Sequence, residues 1–250
     1  MDERIAKGPV AAGGPVLLQT RALEKRFGGV IAVSKVDFTL HEGEIRCLIG
    51  PNGAGKSTFF KMLSGQIKPS SGEVLMAGVN LAGHEPFQIA RRGVGIKNQV
   101  PDVLNGLTVR ENLWLAAHAH PGNRNEARIV DELAQRVGIG GILDRLVGEL
   151  SHGQRQWVEI ASVIATEPRL VLLDEPAAGM TDEETAQTAE LIRELNRRAT
   201  IVVVEHDMQF IEQIAQRVTV FHQGAVLLEG SFEQVVSNPV VRDVYLGRGH

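Results

Sequence analysis

Residues 45–63 run from an apolar segment through a glycine-rich octet into a segment with helical character. Ile45-Arg46-Cys47-Leu48-Ile49 reads as a short strand, and Lys56 to Leu63 as a helix that Gly65 suits as a C-terminal cap. Between them, Gly50-Pro51-Asn52-Gly53-Ala54-Gly55-Lys56-Ser57 fits G-x-x-x-x-G-K-[ST] at every fixed position. Such a loop turns backbone N–H groups toward phosphate oxygens, and the helix N-terminus behind it adds a favourable dipole. It needs a buried strand to hold it and a helix to follow, which constrains the chain to a sheet flanked by helices.

The rest of the chain agrees with that constraint. Leu170 to Leu173 is wholly apolar, as parallel strands buried on both faces are, and Thr200 to Val204 reads as another buried strand. Ser151 caps a helix running through Val158, Ile160 and Ile164 to Thr166, ended by Pro168. A second helix starts at Thr181 or Asp182 and runs to about Arg198, and 210–217, 218–221 and 225–229 read as helix, strand, strand. Earlier, Val16 to Thr20, Val33 to Leu40, Glu73 to Met76 and the segment after Asn80 suggest an antiparallel subdomain. Val109 to His118 and Asn125 to Val137 read as helices, with no strong strand from about 101 to 150. The expected fold class is α/β: a parallel-sheet core with an antiparallel β subdomain and an inserted α-helical subdomain. The expected limits are a disordered tail over 1–16 and one domain over 17–247, its core and β subdomain over 17–99 and 155–247, its helical lobe over 100–154.

Composition closes several alternatives. A net charge of -4 argues against general nucleic-acid binding, which needs clustered Lys and Arg. The single cysteine, Cys47, rules out an intrachain disulfide and reads as a small buried residue. No stretch approaches the roughly 18 apolar residues of a spanning helix. Residues 1–15 lack the apolar region of a signal peptide, so the expectation is a cytoplasmic protein that meets a membrane only through partners.

Four groups of residues carry chemistry. Lys56 reaches the β- and γ-phosphates, the Ser57 hydroxyl ligates Mg²⁺, and Thr58 donates near the α-phosphate. Asp174 ends an apolar strand, where its carboxylate can hold Mg²⁺ through a water; Glu175, one residue on, is a candidate general base for the attacking water. His206 follows the strand-like run before Glu205 and can hydrogen-bond the γ-phosphate; the other seven histidines have no metal-ligand spacing. Ser151, Gly153 and Gln154 form a second anion site at a helix N-terminus, or else a plain cap. Since the chain already has a phosphate loop, this second site is expected to serve the γ-phosphate held by an opposite subunit.

With its motifs in this order, the chain resembles the nucleotide-binding subunits of ABC transporters over about residues 17–247. The resemblance implies a P-loop NTPase core of the RecA type, with ATP and Mg²⁺ as cofactors. It implies that Phe27, in Arg26-Phe27-Gly28, stacks on adenine, where family members often carry Tyr. It further implies that Gln99 approaches Mg²⁺ and transmits contact from membrane subunits, although Lys97-Asn98-Gln99 departs from the commoner aromatic-Gln. Gly179-Met180-Thr181-Asp182 occupies the loop that lines the dimer interface. Leu150-Ser151-His152-Gly153-Gln154 has His152 where the family usually has Gly, and the imidazole is expected to point away from phosphate. These departures resemble the branched-chain amino acid importer group, whose ending Val244-Tyr245-Leu246-Gly247 also fits. Within that group, the signature together with Ala178 to Thr185 looks most like the urea or short-chain amide subunit, a branched-chain amino acid importer being the alternative. Implied partners are a second ATPase subunit, two permease subunits and, indirectly, an external solute-binding protein, at the cytoplasmic face of the inner membrane. A non-transport ABC ATPase is disfavoured by the single domain and the absence of a heptad run; a P-loop kinase or switch is disfavoured by the signature and His206.

Overall fold

The computed structural model describes residues 14–99, 102–119 and 125–246. Most of the expected tail, and Gly247 of the C-terminal motif, lie outside them.

Strands β1 (Val16–Phe27), β2 (Val30–His41), β4 (Ser71–Met76) and β5 (Val79–Asn80) form an antiparallel sheet in the order β2-β1-β4-β5. The first two are 12 residues long, well beyond the runs that alternation picks out. The reason is a pair of irregularities. Ala22 and Lys35 adopt left-handed backbone at φ 44 and 47, and the β1–β2 register shifts between Thr20 and Leu23. Each bulge breaks the period of two, so the far half of each strand falls out of phase with the near half. Asp37 braces the bulge by accepting from the Ala22 N–H at 2.7 Å. Val16 already belongs to β1, and the Pro15 carbonyl accepts from Glu42 N–H, so the fold begins before residue 17.

The second sheet contains β3 (Ile45–Ile49), β6 (Val94–Lys97), β7 (Leu170–Asp174), β8 (Thr200–Val204), β9 (Arg217–His222) and β10 (Ala225–Gly230). Its order is β10-β9-β3-β8-β7-β6, parallel except for the β9–β10 hairpin. Strand β6 was not anticipated. Around the sheets lie α1 (Lys56–Leu63), α2 (Pro86–Ala90), α3 (Val109–His118), α4 (Glu126–Val137), α5 (His152–Ala165), α6 (Asp182–Leu195), α7 (Met208–Ile214), α8 (Phe232–Ser237) and α9 (Pro239–Leu246).

Both faces of the parallel sheet are covered, which is why its central strands β7 and β8 are almost entirely apolar. On one face Leu48, Leu172, Val202 and Phe221 meet α1 and the antiparallel sheet. There the Phe59 ring lies 5.4 Å from Phe38 and 5.1 Å from Phe221, centre to centre. On the other face Cys47, Val171 and Val203 meet Ile160 of α5, Ile192 of α6 and Phe210 of α7. A third apolar centre joins α3, α4 and α5 through Val109, Leu113, Val130, Val158 and Ala161. Helix α5 thus serves two cores, and the helical lobe extends past residue 154 along it.

Arg46, inside β3, is fully buried and has a partner at each of its three guanidinium nitrogens. Its guanidinium donates to Glu44 at 2.6 Å, Glu229 at 2.6 Å, Thr219 Oγ1 at 2.9 Å and the Thr39 carbonyl at 3.0 Å. A buried charge survives only with such partners.

Burial also governs Cys47. The side chain is fully buried and burial pushes its thiol well above the ordinary range. Since the thiolate is the reactive form, a disulfide reagent such as dithionitrobenzoate is expected to titrate no thiol in the native protein and one after denaturation. Rapid labelling of the native protein is the contrary result.

No described helix is long and apolar enough to cross a membrane.

Candidate functional site

The site lies at the C-terminal ends of β3, β6, β7 and β8, the edge where parallel α/β sheets bind ligands. The chain leaves β3 through Gly50 at φ 147 and enters α1 through Gly55 at φ 102. Each glycine is needed for space as well as conformation. A Cβ on Gly50 would strike the Phe221 carbonyl oxygen, and one on Gly55 the Ala32 carbonyl oxygen. Helix α1 has no side-chain cap and no acid in its first turn. Its opening N–H groups and dipole are therefore free for an anion. Lys56 folds back over the loop, donating to the Gly50 carbonyl at 2.6 Å and the Pro51 carbonyl at 3.0 Å. Burial pushes its ammonium below the ordinary lysine range, against the pull of Glu175 and Asp174.

Ser57 and Thr58 occupy the first turn of α1. Phe27 ends β1 opposite Val30, 47% exposed, with the Lys25 ammonium 5.1 Å from its ring centre. The β1–β2 hairpin borders the glycine loop, because Ala32 of β2 is the residue packed against Gly55.

Glu175 follows β7 in left-handed backbone at φ 46, a strained conformation for glutamate that costs about 1–3 kcal/mol. Its N–H donates to the Val204 carbonyl at 2.9 Å. That tie to the end of β8 turns the carboxylate between two other residues. Gln99 Nε2 donates to Glu175 Oε2 at 2.7 Å, and His206 Nδ1 lies 3.5 Å from Glu175 Oε1. The structure thus brings together Gln99, Glu175 and His206, residues distant in sequence. Asp174 is buried at the strand end, where desolvation first and the neighbouring Glu175 second push its carboxyl up. The Ser57 hydroxyl and the Asp174 carboxylate are hard oxygen donors, and among the described residues no three His, Cys, Asp or Glu side chains are arranged to hold a metal ion by themselves. That donor set suits Mg²⁺ bound jointly by one or two protein oxygens and nucleotide phosphates.

Ser151, Gly153 and Gln154 open α5. The Ser151 hydroxyl accepts from Gln154 N–H at 3.2 Å, and Gln154 Oε1 accepts from Ser151 N–H at 3.2 Å. Among the described residues no hydrogen bond links 151–154 to 50–58. His152 turns to the loop after Glu175, its Nε2 3.1 Å from the Ala178 carbonyl oxygen. In that loop Thr181 caps α6, its hydroxyl accepting from Glu184 N–H, and Asp182 is the first helical residue.

A family model described as "ABC transporter" matches residues 33–178. The chain belongs to the ABC transporter family. A second model, "Branched-chain amino acid ATP-binding cassette transporter", matches residues 225–250. The chain is 38% identical to the high-affinity branched-chain amino acid transport ATP-binding protein LivG of Escherichia coli K12, over 92% of this chain and 98% of LivG. It is 35% identical to BraF of Pseudomonas aeruginosa, with the same coverage of each chain. Among solved structures it superposes on the ADP conformation of MJ1267, an ATP-binding cassette of an ABC transporter. The TM-score is 0.84 and the identity 27%, over 94% of this chain and 100% of MJ1267. The ABC protein described here is accordingly an ATPase that binds ATP with Mg²⁺ and works as a subunit of a transporter complex.

Beside the site of this ABC ATPase, the buried charges Glu205, Lys97 and Glu159 have no role in the sequence reading. Glu205 accepts from Ala177 N–H at 3.1 Å and His206 N–H at 3.0 Å, joining the loops that carry Glu175 and His206. Lys97, at the end of β6, lies 3.8 Å from Glu159 of α5. Burial pushes the Glu159 carboxyl up to about 7 and lowers the Lys97 ammonium. The available signal was a lone charge in an otherwise apolar stretch, at Val204-Glu205 and at Ile96-Lys97.

Proposed function

We propose that this ABC ATPase energises import of branched-chain amino acids. The observation that carries this is the 38% identity to LivG across nearly the full length of both chains. The C-terminal match to a branched-chain amino acid transporter model points the same way. This corrects the order of preference drawn from sequence. The urea or short-chain amide reading rested on Leu150–Gln154 and Ala178–Thr185, two short segments that weigh less than whole-chain similarity.

In the proposed mechanism Lys56, the α1 N–H groups and Thr58 hold the phosphates, and Phe27 stacks on adenine. Ser57, Asp174 and Gln99 would hold Mg²⁺, which neutralises developing phosphate charge. Glu175 takes the proton of the attacking water, with Gln99 and His206 orienting it. The 2.7 Å Gln99–Glu175 hydrogen bond and the nearby imidazole support that assignment. Ser151, Gly153 and Gln154 cover the γ-phosphate of a second ATPase subunit, so hydrolysis follows head-to-tail closure. The helical lobe passes the motion to permease subunits, at the cytoplasmic face of the membrane.

The test is uptake into vesicles holding the ATPase, its permease and its solute-binding protein. ATP-dependent accumulation of labelled leucine, with none of urea, is the expected result. Accumulation of urea alone would restore the amide reading.

A further inference from the structure

Glu159 is 3% exposed in the middle of α5, yet its carboxylate reaches both ends of the chain segment that bears Gln99. Before Gln99, Lys97 Nζ lies 3.8 Å from Glu159 Oε2. After it, Asp102 N–H donates to Glu159 Oε1 at 3.1 Å. Lys97 also donates to the Asn98 carbonyl at 2.9 Å and the Asp174 carbonyl at 3.3 Å. One buried ion pair thus joins the glutamine segment, the end of the strand bearing Asp174 and the helix that begins at Ser151.

Such a pair is a costly way to hold two elements together. Two charges lose their hydration, and well-packed apolar residues of similar size often stabilise a fold as well or better. What an apolar pair lacks is direction. It would leave the Asn98 carbonyl and Asp102 N–H, which flank Gln99 in the chain, without these partners.

We propose that Glu159, with Lys97, is a positioning residue for ATP hydrolysis. It makes the reach of Gln99 toward Glu175 depend on the placement of helix α5, and so on the signature residues at its N-terminus. The proposal rests on the reading that Gln99 and Glu175 act at the bound nucleotide.

The test compares four forms of the full chain with the parent: Glu159→Gln, Gln99→Ala, the apolar pair Lys97→Met with Glu159→Leu, and that pair combined with Gln99→Ala. Replacing both charges avoids stranding one, so the pair is expected to fold, which its melting temperature checks. The apolar pair is expected to lower kcat about tenfold, within the range that misplacing a catalytic group costs. KM for MgATP should stay within about threefold, because the phosphate loop is untouched. In the Gln99→Ala background the pair should cost nothing more, the non-additivity of residues acting through one another. Glu159→Gln keeps an oxygen for Asp102 N–H and leaves Lys97 its two carbonyl partners but no counter-charge, so it is expected to melt lower than the parent while retaining at least about half of kcat when folded. A wild-type kcat in the apolar pair, or a loss that multiplies with that of Gln99→Ala, would overturn the positioning role. A wild-type kcat in Gln99→Ala alone would instead remove the underlying reading of the site, and the positioning role with it.

Discussion

Glu175→Gln is expected to lower steady-state ATP hydrolysis by roughly 10²–10⁴-fold, the usual cost of removing a positioned general base. ATP affinity should stay within a few-fold of the parent, because the glycine loop and Lys56 are unaltered. Glutamine has the shape of glutamate, keeps an oxygen for Gln99 Nε2, which now donates at 2.7 Å, and asks no more of the backbone at φ 46. What disappears is basicity and charge. The variant should therefore accumulate with ATP bound. If the signature covers a second subunit's nucleotide, MgATP should also drive it into a dimer. Phosphate release, nucleotide binding and light scattering measure the three effects separately. Undiminished hydrolysis would remove Glu175 from the role of base. Weak binding together with slow hydrolysis would mean that its charge shapes the phosphate site. A monomer that binds ATP but does not hydrolyse it would point to a different ATPase subunit as the partner.

Much of this arrangement is legible in the chain because strongly apolar strands end abruptly in polar residues. Ile49 precedes the glycine loop, Leu173 precedes Asp174 and Val204 precedes Glu205, and all three strands are parallel neighbours. The hydrophobic pattern marks each strand end, and the parallel pairing places the three ends on one edge. Strand β6 was silent for the opposite reason. Its sequence, Val94-Gly95-Ile96-Lys97, holds a glycine and a buried lysine that interrupt any apolar run. Both are explained only by partners far along the chain. A Cβ on Gly95 would come within 2.6 Å of Val163, and Lys97 needs Glu159. Period-two reasoning failed along β1 and β2 because each carries a left-handed residue, Ala22 or Lys35, that shifts the phase. Glu205 gives only a weak signal in the sequence, because a glutamate at a strand end ordinarily faces water; here it is 2% exposed and occupied by backbone donors.

The glycine loop supplies the second large effect. Gly50→Ala is expected to weaken ATP binding roughly 100-fold, comparable to losing a charge-assisted hydrogen bond of about 1.5–3 kcal/mol. At φ 147 the position suits glycine almost alone, and the added Cβ meets the Phe221 carbonyl oxygen. Phe221 cannot retreat. Its strand, β9, is laddered to β3, with Val220 opposite Ile49, and its ring packs 5.1 Å from Phe59. The loop must move instead, carrying the Gly50 and Pro51 carbonyls that anchor Lys56. Backbone strain of about 1–3 kcal/mol is also expected. At about 2–4 °C per kcal/mol for a chain of this size, that lowers the melting temperature by roughly 2–12 °C. Gly53→Ala separates strain from collision. Gly53 sits at φ 78 with no protein atom within 4 Å of its added Cβ, so Gly53→Ala should lose some stability to strain without the collision that displaces the loop at Gly50. Thermal melts with and without MgATP read both quantities, because ligand binding to the folded state raises the midpoint. The parent and Gly53→Ala should show the rise, while Gly50→Ala should melt lower and respond weakly. An equal MgATP-induced rise in Gly50→Ala would mean that the loop binds phosphate without the geometry that Phe221 imposes.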